Sequence, residues 1–229
     1  MKTIVIDAGH GGIDGGAISG VHFEKDKNLR MALTVEKYLK NQGVNVVMTR
    51  TEDKYLTLNE RSNIENKVNA DYCFSLHMDS ATATASGMSI WLYSKASESM
   101  ISFAGDILNE LKKVGFLTNR AKEIYKGFRD NPKVDYAWNR QTKSPSMLLE
   151  LGFISNPTNV KDMDEKYEDY AKAICKAICK KIDVEYKEDK IEPTGFYKVQ
   201  LGAFKDRANA VALAEKLGKL GFESIIKID

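Results

Sequence analysis

The sequence predicts an α/β domain with a mostly parallel sheet covered by helices on both faces, plus a small C-terminal strand–helix–strand module. Three observations lead there. Short apolar runs alternate with segments of helical periodicity along the first 182 residues. Those runs are apolar on both faces, as strands buried between two helical layers must be. The composition then turns charged near Val184, and one more strand-like run follows.

Taken in order, Thr3–Asp7 is a β-branched strand that runs into a glycine-rich loop, Ala8–Gly20. Lys27–Asn41 places Leu29, Ala32, Leu33, Val35, Tyr38 and Leu39 at helical spacing, and Gly43 stands where a helix C-cap glycine is expected. Val44–Thr49 is the next strand, Leu58–Val68 a helix, Tyr72–His77 a strand and Ser89–Tyr93 another. Ser97–Val114 is a long helix that closes near Gly115. Ser146–Glu150 is the last core strand and Asp164–Ile182 the last helix. The domains expected are a catalytic domain over 1–183, a charged linker over 184–194 and a module over 195–229. In that module Phe196–Leu201 and Ser224–Ile228 read as strands around a helix at Ala208–Leu220.

Composition narrows the function. With 34 Lys+Arg against 32 Asp+Glu the net charge is +2, which argues against a dedicated nucleic-acid binder. The three cysteines, Cys73, Cys175 and Cys179, form no disulfide framework and read as small buried hydrophobes. Met1–Asp7 has no apolar core of signal-peptide length, and no run approaches the roughly 20 apolar residues of a membrane span. The expectation is a soluble chain made in the cytoplasm, with no membrane partner.

The chain has three histidines. His10 and His77 each follow an apolar strand, and Glu24 closes the loop after His10. In open α/β sheets ligands bind beyond the carboxyl ends of the strands, where His10, His77 and Glu150 all fall. Two imidazoles and a carboxylate make a catalytic zinc shell with one position left for water. His22, two residues before Glu24, is set aside as a loop residue or substrate contact. Glu150 ends the apolar run Met147-Leu148-Leu149, where a charge is costly without a task or a partner. Two roles stay open for it: general base and acid, or a salt bridge, with Arg140 as a partner.

The motifs Ile6-Asp7-Ala8-Gly9-His10-Gly11-Gly12, Glu24-Lys25-Asp26-Lys27-Asn28-Leu29 and Thr49-Arg50 resemble those of the zinc-dependent N-acetylmuramoyl-L-alanine amidases of the Amidase_3 family. So do Ala70-Asp71, Ser75-Leu76-His77 and Leu149–Asn156. They stand in the family's order over about residues 2–182. The resemblance implies zinc ligands His10, Glu24 and His77, a catalytic Glu150, and cleavage of the amide between N-acetylmuramic acid and L-alanine in bacterial peptidoglycan. Arg140 resembles an arginine that the family keeps before the last strand, expected to position Glu150 or the substrate. Two positions depart from the family. Ala8 stands for the usual proline, and Asp79 for the usual asparagine, adding a negative charge beside the metal that is expected to act on bound water or on a basic part of the substrate.

Tyr197–Phe204 and Ala208-Asn209-Ala210 resemble the first half of a SPOR domain, which implies a glycan ligand. A single strand–helix–strand unit leaves strand edges open, so pairing of two chains into a homodimer is expected. The biological reading preferred from the sequence is a phage endolysin that reaches the wall through a holin lesion. A host sporulation or mother-cell-lysis amidase is the alternative, and a non-catalytic wall-binding protein the reading from another class.

Overall fold

The computed structural model describes residues 2–116, 119–128, 131, 133–188, 202–221 and 226. It divides into two compact units, Met1–Lys187 and Glu188–Asp229. The first contains β1 (Thr3–Ala8), β2 (Ile18–Ser19), β3 (His22–Phe23), α1 (Glu24–Asn41), β4 (Asn45–Met48), α2 (Leu58–Asn66) and β5 (Tyr72–Asp79). It continues with β6 (Ser89–Leu92), α3 (Glu98–Lys113), β7 (Ile124–Lys126), α4 (Ala137–Gln141), β8 (Ser146–Phe153) and α5 (Pro157–Lys181).

Six strands form one sheet in the order β4-β1-β5-β8-β6-β7. The first four run parallel. β6 is antiparallel to β8, and β7 is parallel to β6. Alternation along the strands separates two faces. Ile4, Ile6, Phe74, Leu76, Met147 and Leu149 join the large core shared with α1, α3 and α5. Val5 and Cys73 point the other way and pack with Trp138 of α4 in a small second cluster. That thin face turns polar toward the carboxyl ends of the strands, where Asp7, Ser75, His77 and Glu150 follow at every second position. The strand pairing sets Asp7 beside Ser75 and His77 beside Glu150.

The helix ends explain where the sequence reading stopped short. α1 begins at Glu24 rather than Lys27, since Ala17 and Gly15 carbonyls accept from the Glu24 and Lys25 N–H groups. α5 begins at Pro157 rather than Asp164: Pro sits in its first turn and the Asn156 side chain accepts from Thr158 and Asn159 N–H. The first turn of α1 is polar, and the start of α5 offers only Val160 and Met163 among polar residues, too few to mark a stripe. The same holds for the two-residue strands β2 and β3, for β7 and for the five-residue α4, none of which is long enough for a period. α2 is opened by a capping box in which Thr57 and Glu60 exchange side-chain and backbone bonds.

All three cysteines are buried free thiols. Burial pushes the Cys73 thiol well above its ordinary value, with the Glu65 charge adding to it. Beyond α5, Val184 donates to the Cys179 carbonyl, Lys187 exchanges hydrogen bonds with the Gln42 side chain, and Val184 and Tyr186 pack on the core. The start of the expected linker therefore lies on the first unit. The second unit contributes α6 (Arg207–Lys219), capped by Asp206. The expected strands Phe196–Leu201 and Ser224–Ile228 lie outside the described residues, apart from Ile226. No helix among the described residues is long and apolar enough to cross a membrane.

Candidate metal centre

The site is built on the loop that leaves β1. Asp7, at the end of that strand, is buried and accepts from the Thr49 and Ser75 hydroxyls, both at 2.6 Å, and from Arg61 Nη1 at 2.8 Å. Burial by itself raises its pKa. The Arg61 charge and the three donors outweigh burial and hold the carboxyl below its ordinary value. Arg61 also donates to the carbonyls of Ala8 and His10, both at 2.7 Å, and Arg50 donates to those of Ala8 (2.8 Å) and Gly9 (2.9 Å). Two guanidiniums thus satisfy three successive carbonyls that the turn would otherwise orphan. They hold His10 in the left-handed region, φ 59°, which a non-glycine residue adopts at a cost.

Arg61→Met removes the buried counter-charge of Asp7 and strips donors from the loop. The expected loss is about 3–5 kcal/mol of unfolding free energy, the range for breaking a buried pair. Urea denaturation checks it, and a loss within 1 kcal/mol, as for an exposed pair, would refute this account of Arg61.

Glu24 opens α1 and lies between the two imidazoles. His10 Nε2 stands 3.2 Å from Glu24 Oε2, and His77 Nδ1 stands 3.0 Å from Glu24 Oε1. The carboxylate also accepts from Ala17 N–H, Met78 N–H and the Asn28 side-chain amide one helical turn along. Burial alone would raise the Glu24 pKa; the two imidazoles outweigh it and hold the group far below the usual carboxylate range. His10 Nδ1 donates to Asp14 at 2.8 Å, which leaves Nε2 facing Glu24. Burial lowers the His10 pKa, but Glu24 and then Asp14 outweigh it, and the net shift is upward. The His10 and His77 rings meet edge to face at 5.0 Å.

One donor atom each from His10, Glu24 and His77 lies within 4.8 Å of the others, the one such group of three His, Cys, Asp or Glu side chains among the described residues. Donors bonded at about 2.0–2.1 Å to one tetrahedral zinc stand roughly 3.3 Å apart. The 3.2 and 3.0 Å gaps, one to each Glu24 oxygen, are close to that spacing, and the full set within 4.8 Å is compatible with such an ion. An ionised carboxylate and an imidazole fixed through its far nitrogen by Asp14 are the donor chemistry it needs.

Glu150 pairs in register with His77 on the next strand and is 8% exposed. Its Oε2 is buried and makes no hydrogen bond. Burial pushes its pKa well above the carboxylate range. The Asp79 and Glu24 charges add to this, and Arg120 opposes it. A register shift in the β5–β8 pairing falls between His77 and Asp79 and changes how the strand presents its side chains there. Asp79, expected to add a negative charge near the metal, pairs with Arg120 Nη2 at 2.6 Å. The Arg120 guanidinium lies 4.4 Å from the Phe153 ring.

Arg140 sits elsewhere. It is exposed on α4 and donates to the Asp135 carbonyl. His22 is not in the metal group; it lines a groove on the α5 side. Sequence reasoning missed Asp14, Arg61 and Arg120. Asp14 had a usable signal, a carboxylate four residues after His10 in a glycine-rich loop. Arg120 had none, because its loop has no period and its partner is 41 residues away.

The Amidase_3 model, described as N-acetylmuramoyl-L-alanine amidase, matches residues 4–180, and the SPOR domain model matches residues 193–229. The chain is 30% identical over 228 residues to the sporulation-specific N-acetylmuramoyl-L-alanine amidase of Bacillus subtilis, covering 99% of this chain and 84% of that one. It is 36% identical over 162 residues to the probable cell wall amidase LytH of Staphylococcus aureus, covering 69% of this chain and 50% of LytH. The catalytic domain of CwlV, an N-acetylmuramoyl-L-alanine amidase from Bacillus (Paenibacillus) polymyxa var. colistinus, superposes with a TM-score of 0.69 at 30% identity, over 81% of this chain and all of that one. With its sheet, its metal-ready triad and the matched span in agreement, the chain belongs to the Amidase_3 family of N-acetylmuramoyl-L-alanine amidases.

Proposed function

We propose that this chain hydrolyses the amide between the lactyl group of N-acetylmuramic acid and L-alanine of the stem peptide, with zinc held by His10, Glu24 and His77 and with Glu150 moving the proton. The observation that carries the reading is the buried, unpartnered Glu150 oxygen on the strand beside His77. A zinc ion, when bound, supplies Lewis acidity and a water that ionises near neutral pH. Glu150 is suited to the proton work because its affinity for a proton exceeds that of an ordinary carboxylate. It accepts a proton from the attacking water and returns it to the leaving amine nitrogen. Glu24 stays ionised between the imidazoles, and Asp14 keeps the His10 ring oriented. Arg120 pairs with the Asp79 carboxylate and opposes the upward push of the Asp79 charge on Glu150.

The sporulation-specific and cell-wall relatives support a host enzyme of sporulation or wall turnover. No observation favours the phage setting expected from the sequence, and a gene neighbourhood containing a holin would be the finding to restore it. The SPOR match supports peptidoglycan glycan as the ligand of the C-terminal segment. None of the α6 residues is buried, in keeping with pairing of this segment between two chains. A monomeric mass at micromolar concentration in light scattering would exclude that pairing.

Mass analysis of digested peptidoglycan tests the reaction. Intact stem peptides with a free L-alanine amine, released by the zinc-loaded protein and not by the chelated one, are expected. Shortened stems would identify a peptidase instead.

A further inference from the structure

Glu150 stands in a row of three residues that crosses three strands at one level. His77 of β5 pairs with it on one side and Ser89 of β6 on the other. Directly opposed residues project from the same face, and in an antiparallel pair their Cβ atoms stand about 4.5–5.5 Å apart. Leu148, two residues back along β8, is apolar and pairs with Trp91. Ser89 is therefore the polar strand neighbour of Glu150 on the side away from the metal. We propose that Ser89 is a positioning residue for Glu150: its hydroxyl donates to the carboxylate and sets the rotamer in which Glu150 meets the scissile amide. This rests on the reading of Glu150 as the group that moves the proton.

Two unused hydrogen-bonding groups carry the inference. Glu150 Oε2 is buried and has no partner. Ser89 is fully buried, and its Oγ accepts from Trp91 Nε1 at 3.1 Å. A hydroxyl has a proton to give as well as lone pairs to receive. Among the described residues the indole is the one side-chain partner of Ser89, so its proton is still to be placed. A buried donor and a buried acceptor left unmade are both costly, and these two belong to directly opposed residues. Catalytic hydrogen bonds are often long before substrate binds and tighten in the complex. Rotation about the Glu150 side chain closes this one.

Trp91 fixes the direction. Its ring stacks on Tyr125 at 4.3 Å and 16° and meets Tyr136 edge to face at 5.4 Å. Its carbonyl accepts from the Asn139 side-chain amide at 2.9 Å. The indole is thus held on both its ring and its backbone. Its N–H occupies the side of Ser89 Oγ that looks along β6, which leaves the hydroxyl proton to turn across the sheet toward β8.

The test joins NMR to kinetics on the full zinc-loaded chain. Trp91 and Trp138 are the two tryptophans of the sequence, so two indole N–H signals are expected. Glu150→Met removes the acceptor and should move the Trp91 signal through Ser89, leaving that of Trp138 in place. In hydrolysis of muramyl-peptide, Ser89→Ala is expected to lower kcat about tenfold with KM unchanged, the low end for a hydrogen bond to a charged group. In a Glu150→Gln background the same substitution should cost nothing further, because the two residues act as one unit. A Trp91 signal that ignores Glu150→Met, a loss confined to KM, or a tenfold loss that persists beside Glu150→Gln would overturn the proposal and leave Ser89 as a partner of the indole alone. Near-normal hydrolysis by Glu150→Gln, with the Trp91 signal still answering to Glu150→Met, would overturn the reading of Glu150 and uphold the contact itself.

Discussion

Glu150→Gln is expected to lower hydrolysis of muramyl-peptide by about 10²–10⁴-fold, the usual contribution of a positioned acid–base group, while zinc content stays stoichiometric. The amide matches the carboxyl in size but cannot accept and return a proton. The same variant is expected to be more stable than wild type when both are metal-free at pH 7. Glu150 has a higher pKa in the folded chain than in the unfolded one, because it is buried beside Asp79 and Glu24. Such a group favours folding while protonated. The advantage is lost as pH rises from the unfolded value, about 4.3, through the folded one. Gln never ionises and avoids that loss, so the gap in Tm should close near pH 4 and open above it. Calorimetry on chelated protein across this range reads the effect. A variant that retained near-normal activity, or that melted below wild type at pH 7, would exclude the role argued for Glu150. Activity and stability then pull in opposite directions at one side chain, as they do at many functional sites.

Gly9→Ala should abolish zinc binding as completely as His77→Ala, although it keeps every ligand. A Cβ on Gly9 would lie 2.3 Å from His77 Cε1, 2.4 Å from Nε2 and 2.6 Å from Nδ1. Gly9 cannot retreat easily, because its N–H donates to the Leu76 carbonyl and its own carbonyl accepts from Arg50 and Asn28. The imidazole has to swing out of the triad, and its donor atom goes with it. A milder change is expected for Asp14→Asn, which weakens the orientation of His10 and should cost about 10–100-fold in zinc affinity. Zinc content after dialysis and competition with a chromogenic chelator measure both. Stoichiometric, tightly held zinc in Gly9→Ala would show that His77 is not needed in its present position.

Much of this site is legible in the sequence because its side chains sit where strands end. His10, His77 and Glu150 each follow an apolar run, and the period of two puts His77 and Glu150 on one face once their strands are neighbours. The glycine-rich loop after β1 is legible as a loop. Which of its glycines matters is not, since that depends on what a Cβ would meet: the His77 ring for Gly9, Glu24 and His10 for Gly16. Arg140 and Arg120 show the same limit from the other side. Both are arginines in loops or short helices before the last strand, and only the path of the chain puts Arg120, and not Arg140, against Asp79.

Local pattern was enough to determine the alternation of strands and helices, the both-faces burial of the sheet, and the family motifs. These depend on the chemistry and spacing of neighbours, which a linear string records. The tertiary structure decided the rest: that β6 and β7 run against the other strands, that Arg50 and Arg61 hold the His10 loop by its carbonyls, and that Arg120 covers the Asp79 charge. It also decided that one Glu150 oxygen is left buried with no partner. Each is a contact between residues far apart in the chain, and its strength comes from exclusion of water, which exists only after the sheet and its helices have closed around the site.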